Sequence, residues 1–187
     1  MSSYSFSSFL HWCSFLSDSI FLGLKFLVPL IFFLFIFKVS IRQFNLSCLT
    51  IAINSCLLIG GTLFLSTIII NMGKAWYSGN ESERDFLISM ITGPHWFQLV
   101  IPIFNYALLP NLMWFKNLRK SIFVSFALVI CWYTSFFVMN YLTNKSEIHS
   151  IHASQNEFPI VEYAAKTVIF LSLLLIVYRI LCRKHRK

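Results

Sequence analysis

The stretch that decides the fold is Lys116–Leu142, KNLRKSIFVSFALVICWYTSFFVMNYL: a turn with three basic residues, then 22 residues without a charge. About 20 consecutive apolar residues cross the hydrocarbon of a bilayer as an α-helix. The block has no strand-like alternation and fits that length. Immediately before the turn lies a second apolar block, Trp96–Phe115, so five residues reverse the chain and two spans stand antiparallel.

Working outward, the pattern repeats. Ile20–Phe37 is rich in Phe and Leu and contains Pro29, which a membrane helix tolerates where neighbouring groups satisfy the freed carbonyl. Leu46–Met72 carries Asn54, Ser55 and Gly60-Gly61, a small and polar face suited to packing against another helix. Residues 159–181 form a last apolar block. The expectation is an all-α bundle of five spans, about 20–37, 46–72, 96–115, 121–142 and 159–181, forming a single membrane domain over 1–187. Met1–Ser19 lacks a basic segment and a small-residue cleavage site; it reads as an amphipathic or interfacial lead-in and not as a signal peptide. Gly73–Gly93 and Thr143–Phe158 read as polar loops.

Charge supports this division. Only 12% of the 187 residues are charged, about half of what a water-facing globule needs. Lys38, Arg42, Lys116, Arg119, Lys120, Arg179, Arg183, Lys184, Arg186 and Lys187 are ten of the fifteen basic residues, and all fall at one set of span ends. The seven acidic residues, Asp18, Glu81, Glu83, Asp85, Glu147, Glu157 and Glu162, fall at or near the other. Because Lys and Arg stay on the cytoplasmic side, the N-terminus is expected outside and the C-terminus in the cytoplasm. The net charge of +8 is spread over short clusters with no aromatic-interleaved patch, which argues against nucleic acid. Cys13, Cys48, Cys56, Cys131 and Cys182 show no CxxC spacing and read as small packing residues, with no metal site among them.

Ionisable groups in spans default to functional hypotheses. Glu162 and Lys166, four residues apart, read either as an intrahelical pair near the outer interface or as the end of a proton path. His95 beside Trp96 could meet a quinone head group, or cap a helix. His149 and His152 read as loop residues before metal ligands, and no histidine lies at the mid-membrane depth a b-type haem needs. Asn54, Asn105 and Asn140 read as interhelical hydrogen-bonding groups. Phe32, Phe33, Phe35 and Phe37 read as lipid-facing. No set of ionisable groups converging at mid-depth is visible, which argues against a carrier.

Three segments carry a family resemblance: Ala75-Trp-Tyr-Ser-Gly-Asn80, Thr92-Gly-Pro-His-Trp96, and Leu109-Pro-Asn-Leu-Met-Trp-Phe-Lys116. Their order and spacing resemble the NrfD/polysulfide-reductase-like membrane subunits, most closely those of the alternative complex III quinol oxidoreductase. The likeness is sharp over Ala75–Lys120 and weak from about Phe21 to Leu181. Family members have eight to ten spans, and the five here resemble their C-terminal bundle. Tyr133–Met139 stands where the family has a stretch with an acid and an arginine, and Asn71 stands near a family glutamate. The resemblance implies a multi-pass subunit of a respiratory complex in the bacterial inner membrane, though an organellar membrane is an alternative. It implies no cofactor of the chain's own and a quinone at most at a shared site. Larger membrane subunits and periplasmic cytochrome or iron–sulfur subunits would be its partners beside the lipid bilayer. Quinone or proton-path candidates are His95, Trp96, Glu162, Lys166 and Asn71. Trp76, Tyr77, Asn80, Glu81, Glu83 and Asp85 would form a partner-facing loop.

Overall fold

A computed structural model of the chain describes residues 3–37, 45–94, 96–145 and 160–185. Helix α1 is Ser3–Ile36, α2 is Leu46–Tyr77, and α3 is Glu81–Thr92. A composite helix α4 covers Phe97–Trp114, α5 is the short Lys116–Arg119, α6 is Ile122–Lys145 and α7 is Ile160–His185. Among the described residues, five of these are long and apolar enough to cross a membrane: Ser8–Ile36, Leu46–Tyr77, Phe97–Trp114, Ile122–Leu142 and Val161–Arg183. The protein is therefore an all-helical, multi-pass membrane protein.

Two sequence-based expectations are corrected. The lead-in is not separate from the first span, because α1 runs without a break from Ser3. Ser17 and Ser19 are compatible with the membrane because their hydroxyls find carbonyls. Ser19 Oγ donates to Phe15 O at 2.7 Å, and Ser17 Oγ donates across to Gly60 O at 3.1 Å. Gly73–Gly93 is not a loop either. Helix α2 continues to Tyr77, Gly79 turns the chain at φ 71°, and Asn80 starts α3. Asn80 Oδ1 accepts from Ser82 N at 3.2 Å while Asn80 Nδ2 donates to Glu83 Oε1 at 3.4 Å. The pattern Asn80-x-x-Glu83 ahead of an apolar run is a helix-start signal. It is where three of the resemblance residues, Ser78, Gly79 and Asn80, do local structural work.

Helices α1 and α2 form the central antiparallel pair, with α7 packed on both. The opposite side is closed by α6 against α1 and by α4 against α2. The core joins Ile20, Leu24 and Val28 of α1, Ile53 and Leu57 of α2, Met113 of α4, Val129 and Trp132 of α6, and Phe170 of α7. Gly23 permits the α1–α7 contact: a Cβ there would lie 2.1 Å from the ring of Phe170. Gly61 does the same for α2 and α4, where a Cβ would meet Pro110 Cβ at 2.7 Å. Such close approach at small residues is how membrane helices gain contact when lipid offers them no hydrophobic drive.

Helix α4 is distorted in the middle. Residues Ile103–Leu108 are π-helical, and Leu109 N donates to Phe104 O five residues back. The next donor in that series would come from residue 110, a proline with no N–H. Asn105 O is thus left without its helical partner, and Trp132 Nε1 of α6 donates to it at 2.8 Å. Asn105 Nδ2 in turn donates to Ser135 Oγ at 2.7 Å. The buried Asn54 donates to Arg119 O at 2.7 Å and Ser121 O at 3.3 Å, and Ser125 Oγ donates to Asn54 Oδ1. Asn54 and Asn105 are bundle-holding amides as expected, whereas Asn140 is exposed on α6. Phe33, Phe35 and Phe37 are exposed, while Phe32 turns inward and stacks on Phe126 at 3.8 Å.

Candidate functional site

Helix α1 presents Asp18, Phe21, Leu22 and Lys25 on one face, at helical spacing. Facing them are Phe64 of α2, Pro102 and Tyr106 of α4, and Tyr163 and Lys166 of α7; together they line a cavity of about 350 Å³. At about 1.5 Å of rise per residue, Lys25 lies ~16 Å and Asp18 ~27 Å along α1 from Ile36 at its basic end. Across a hydrocarbon layer of about 30 Å, that sets Lys25 near mid-depth and Asp18 near the opposite rim. Lys166, ~25 Å from Arg183 along α7, stands level with Asp18.

Four ionisable groups gather here. Lys166 Nζ is 2.7 Å from Glu162 Oε1 and 5.4 Å from the centre of the Phe15 ring. Asp18 interacts electrostatically with Lys166 foremost, then with Glu162 and Lys25. Lys25 Nζ sits 5.4 Å over the ring of Tyr106, a cation–π arrangement. The floor is aromatic: Tyr106 stacks on Trp132 at 5.4 Å, and Phe21 meets both rings edge-on at 5.1 and 5.3 Å.

The pocket is blind. Beneath it the buried Leu24, Val28, Ile53, Leu57 and Trp132 fill the bundle. From Lys25 to the basic turns no span carries an Asp, Glu, Lys, Arg or His. The cavity thus reaches from the acidic end to about mid-depth, and no series of Asp, Glu, Lys, Arg or His leads on from it to the basic end.

The sequence showed no ionisable groups converging at mid-depth; the structure gathers four of them between the acidic rim and Lys25, which alone lies near mid-depth. Asp18 was expected at the outer end and Lys25 was not singled out; helix α1 brings both onto one face with the pair Glu162–Lys166 of α7. A lysine inside the apolar block Ile20–Phe37, seven residues after Asp18, was the available signal.

The remaining candidates stand apart from this pocket. Asn71 is exposed on α2 and lines a groove with Met72, Ala75, Glu83, Phe86, Leu87 and Leu99, between α2, α3 and α4. Trp96 is exposed at the start of α4. His95 lies outside the described residues, as do His149 and His152. Trp76, Tyr77, Asn80, Glu81, Glu83 and Asp85 form one exposed patch at the α2–α3 junction, in helices and a tight turn. No family model, no curated protein and no solved structure matches the chain.

Proposed function

We propose that the chain is a membrane subunit of a quinone-linked respiratory complex, without a redox centre of its own, in a bacterial inner membrane. Its acidic end faces outward and its basic C-terminal end faces the cytoplasm. The likeness of Ala75–Lys120 to the alternative complex III type of membrane subunit supports the kind of complex. The charged pocket between α1, α4 and α7 carries the reading that the subunit takes part in the complex's chemistry beyond holding its shape. A pure scaffold would have little reason to keep ionisable residues in apolar spans, where each is costly. Because the pocket is blind, its geometry favours a site for a ligand or an exchangeable proton at the outer half over a complete proton path through this chain. The exposed acidic and aromatic patch from Trp76 to Asp85 would meet a periplasmic partner, and the apolar flanks would meet lipid or larger membrane subunits.

Purification in mild detergent, with mass spectrometry of co-migrating proteins, tests membership. Cytochrome or iron–sulfur subunits should travel with the chain; if it migrates alone, the reading fails. Glu162→Gln and His95→Ala should then lower quinol-dependent turnover of the purified complex. Unchanged turnover in both would leave a scaffold or assembly subunit. The convergence of Asp18, Lys25, Glu162 and Lys166 also favours a second reading, a small carrier, since carriers place ionisable groups together inside the bundle. Solute uptake by vesicles containing the chain alone would establish that one instead.

A further inference from the structure

We propose that the pocket of α1, α4 and α7 binds a membrane-borne amphiphile with an anionic head, a long-chain carboxylate or a lipid phosphate, and that Lys25 holds its charge. The inference depends on the chain's own pocket and stands apart from membership of any complex.

Charge is the first argument. At this pocket the described ion pair is Glu162–Lys166, and no carboxylate among the described residues lies within 4.0 Å of Lys25 Nζ. Asp18, the other acid at the pocket, leans first on Lys166 and least on Lys25. The remaining titratable groups facing the cavity, Tyr106 and Tyr163, are phenols. Both carboxylates thus belong first to the rim, and the deeper ammonium has the face of Tyr106 and only the weakest share of Asp18. Intramembrane lysines are characteristically paired. A ring quadrupole compensates such a charge only in part, which leaves a place for an anion.

Shape is the second argument. Side chains of a helix tilt toward its N-terminus, so the Lys25 stem rises from mid-depth toward the acidic rim, where a head group from the outer leaflet would arrive. The surfaces around it are apolar: Phe21, Leu22, Phe64 and Pro102. A cavity of about 350 Å³ is in the size range of small-molecule sites and takes a head group with the first part of its chain. A free inorganic anion would satisfy the ammonium but leave this lining bare, and a neutral head would cover the lining but leave the ammonium uncompensated.

The test uses the full chain purified in a neutral maltoside detergent, with 11-dansylaminoundecanoate as fluorescent probe. Oleate or dioleoylphosphatidylglycerol should displace the probe, and which of the two does so at lower concentration identifies the source of the anion. Oleyl alcohol, decylubiquinone and inorganic phosphate should each be at least ten-fold weaker than the better of these. Lys25→Met should raise the probe's Kd at least ten-fold, and Lys25→Arg should stay within three-fold of the unaltered chain. Oleyl alcohol or decylubiquinone competing as well as oleate would overturn the anionic head. Phosphate competing equally would overturn the amphiphile. A folded Lys25→Met chain that binds normally would overturn the role of Lys25. The comparison of carboxylate with alcohol needs no substitution, so it decides even where Lys25→Met fails to fold.

Discussion

Gly23 and Phe170 meet so closely that neither position tolerates a change of volume. The Phe170 ring is fully enclosed and cannot swing away from an added Cβ. Gly23→Leu should destabilise the bundle by about 1–3 kcal/mol, the usual cost of overpacking a close-packed core. Pairing Gly23→Ala with Phe170→Leu should recover part of the loss of Gly23→Ala alone, read as thermal unfolding in detergent. Additive losses would show that the two residues do not share a contact. Asn54 is a residue of another kind, whose value is in its partners. Asn54→Ala strands Arg119 O and leaves Ser121 O and the Ser125 hydroxyl only their 3.3 Å bond to each other. Unfolding measurements should show a loss of about 1–3 kcal/mol, as for buried groups left unpaired, and an unchanged stability would remove Asn54 from that role. Both the amide and the glycine could be picked out by residue type, but their partners lie up to 147 positions away in the chain. Lys25 was harder still, because a single lysine in a span says nothing about what faces it.

Among the elements, α3 depends most on its own ends. It buries none of its side chains, so its start relies on the Asn80 cap and on Glu81 and Glu83 in the first turn, placed where the helix dipole favours acids. Asn80→Ala should cost this helix about 1 kcal/mol. Hydrogen exchange of the amides of Ser82–Asp85 should accelerate about five-fold while α2 and α4 keep their protection. Uniform exchange across all three helices would mean that α3 is held by packing and not by its cap. Helix α4 shows the opposite dependence. Its prolines were visible in the sequence, yet that Pro110 would leave Asn105 O to Trp132 of another helix followed only from how α4 and α6 pack. A break in a helical hydrogen-bond series announces a missing donor without naming the substitute.

For the molecule as a whole, the testable property is its sidedness. In a chain cleared of its five cysteines, Asn117→Cys should react with a membrane-impermeant maleimide only after the membrane is opened. Ser82→Cys should react in intact cells. Both sites reacting from the same side would overturn the alternation of basic and acidic ends, and with it the proposed orientation of the pocket. The first half of α1, with its serines, aromatics and Asp18, is easily read as lying outside a shorter span. Polar residues near the rim of a long helix look like a surface segment until a partner helix is seen beside them.

By itself the sequence determined that the chain crosses a membrane five times, because hydrocarbon accepts long apolar helices and rejects nearly everything else. That constraint is local and is satisfied one block at a time. The tertiary structure alone decided that Asp18 and Lys25 of α1 share a pocket with Glu162 and Lys166 of α7. It also decided that the pocket ends on an aromatic floor. Which spans become neighbours, and how each is rotated, depends on the fit of Gly23 to Phe170 and Gly61 to Pro110. Steric fit of this kind is a property of two surfaces in contact, and neither surface carries it alone.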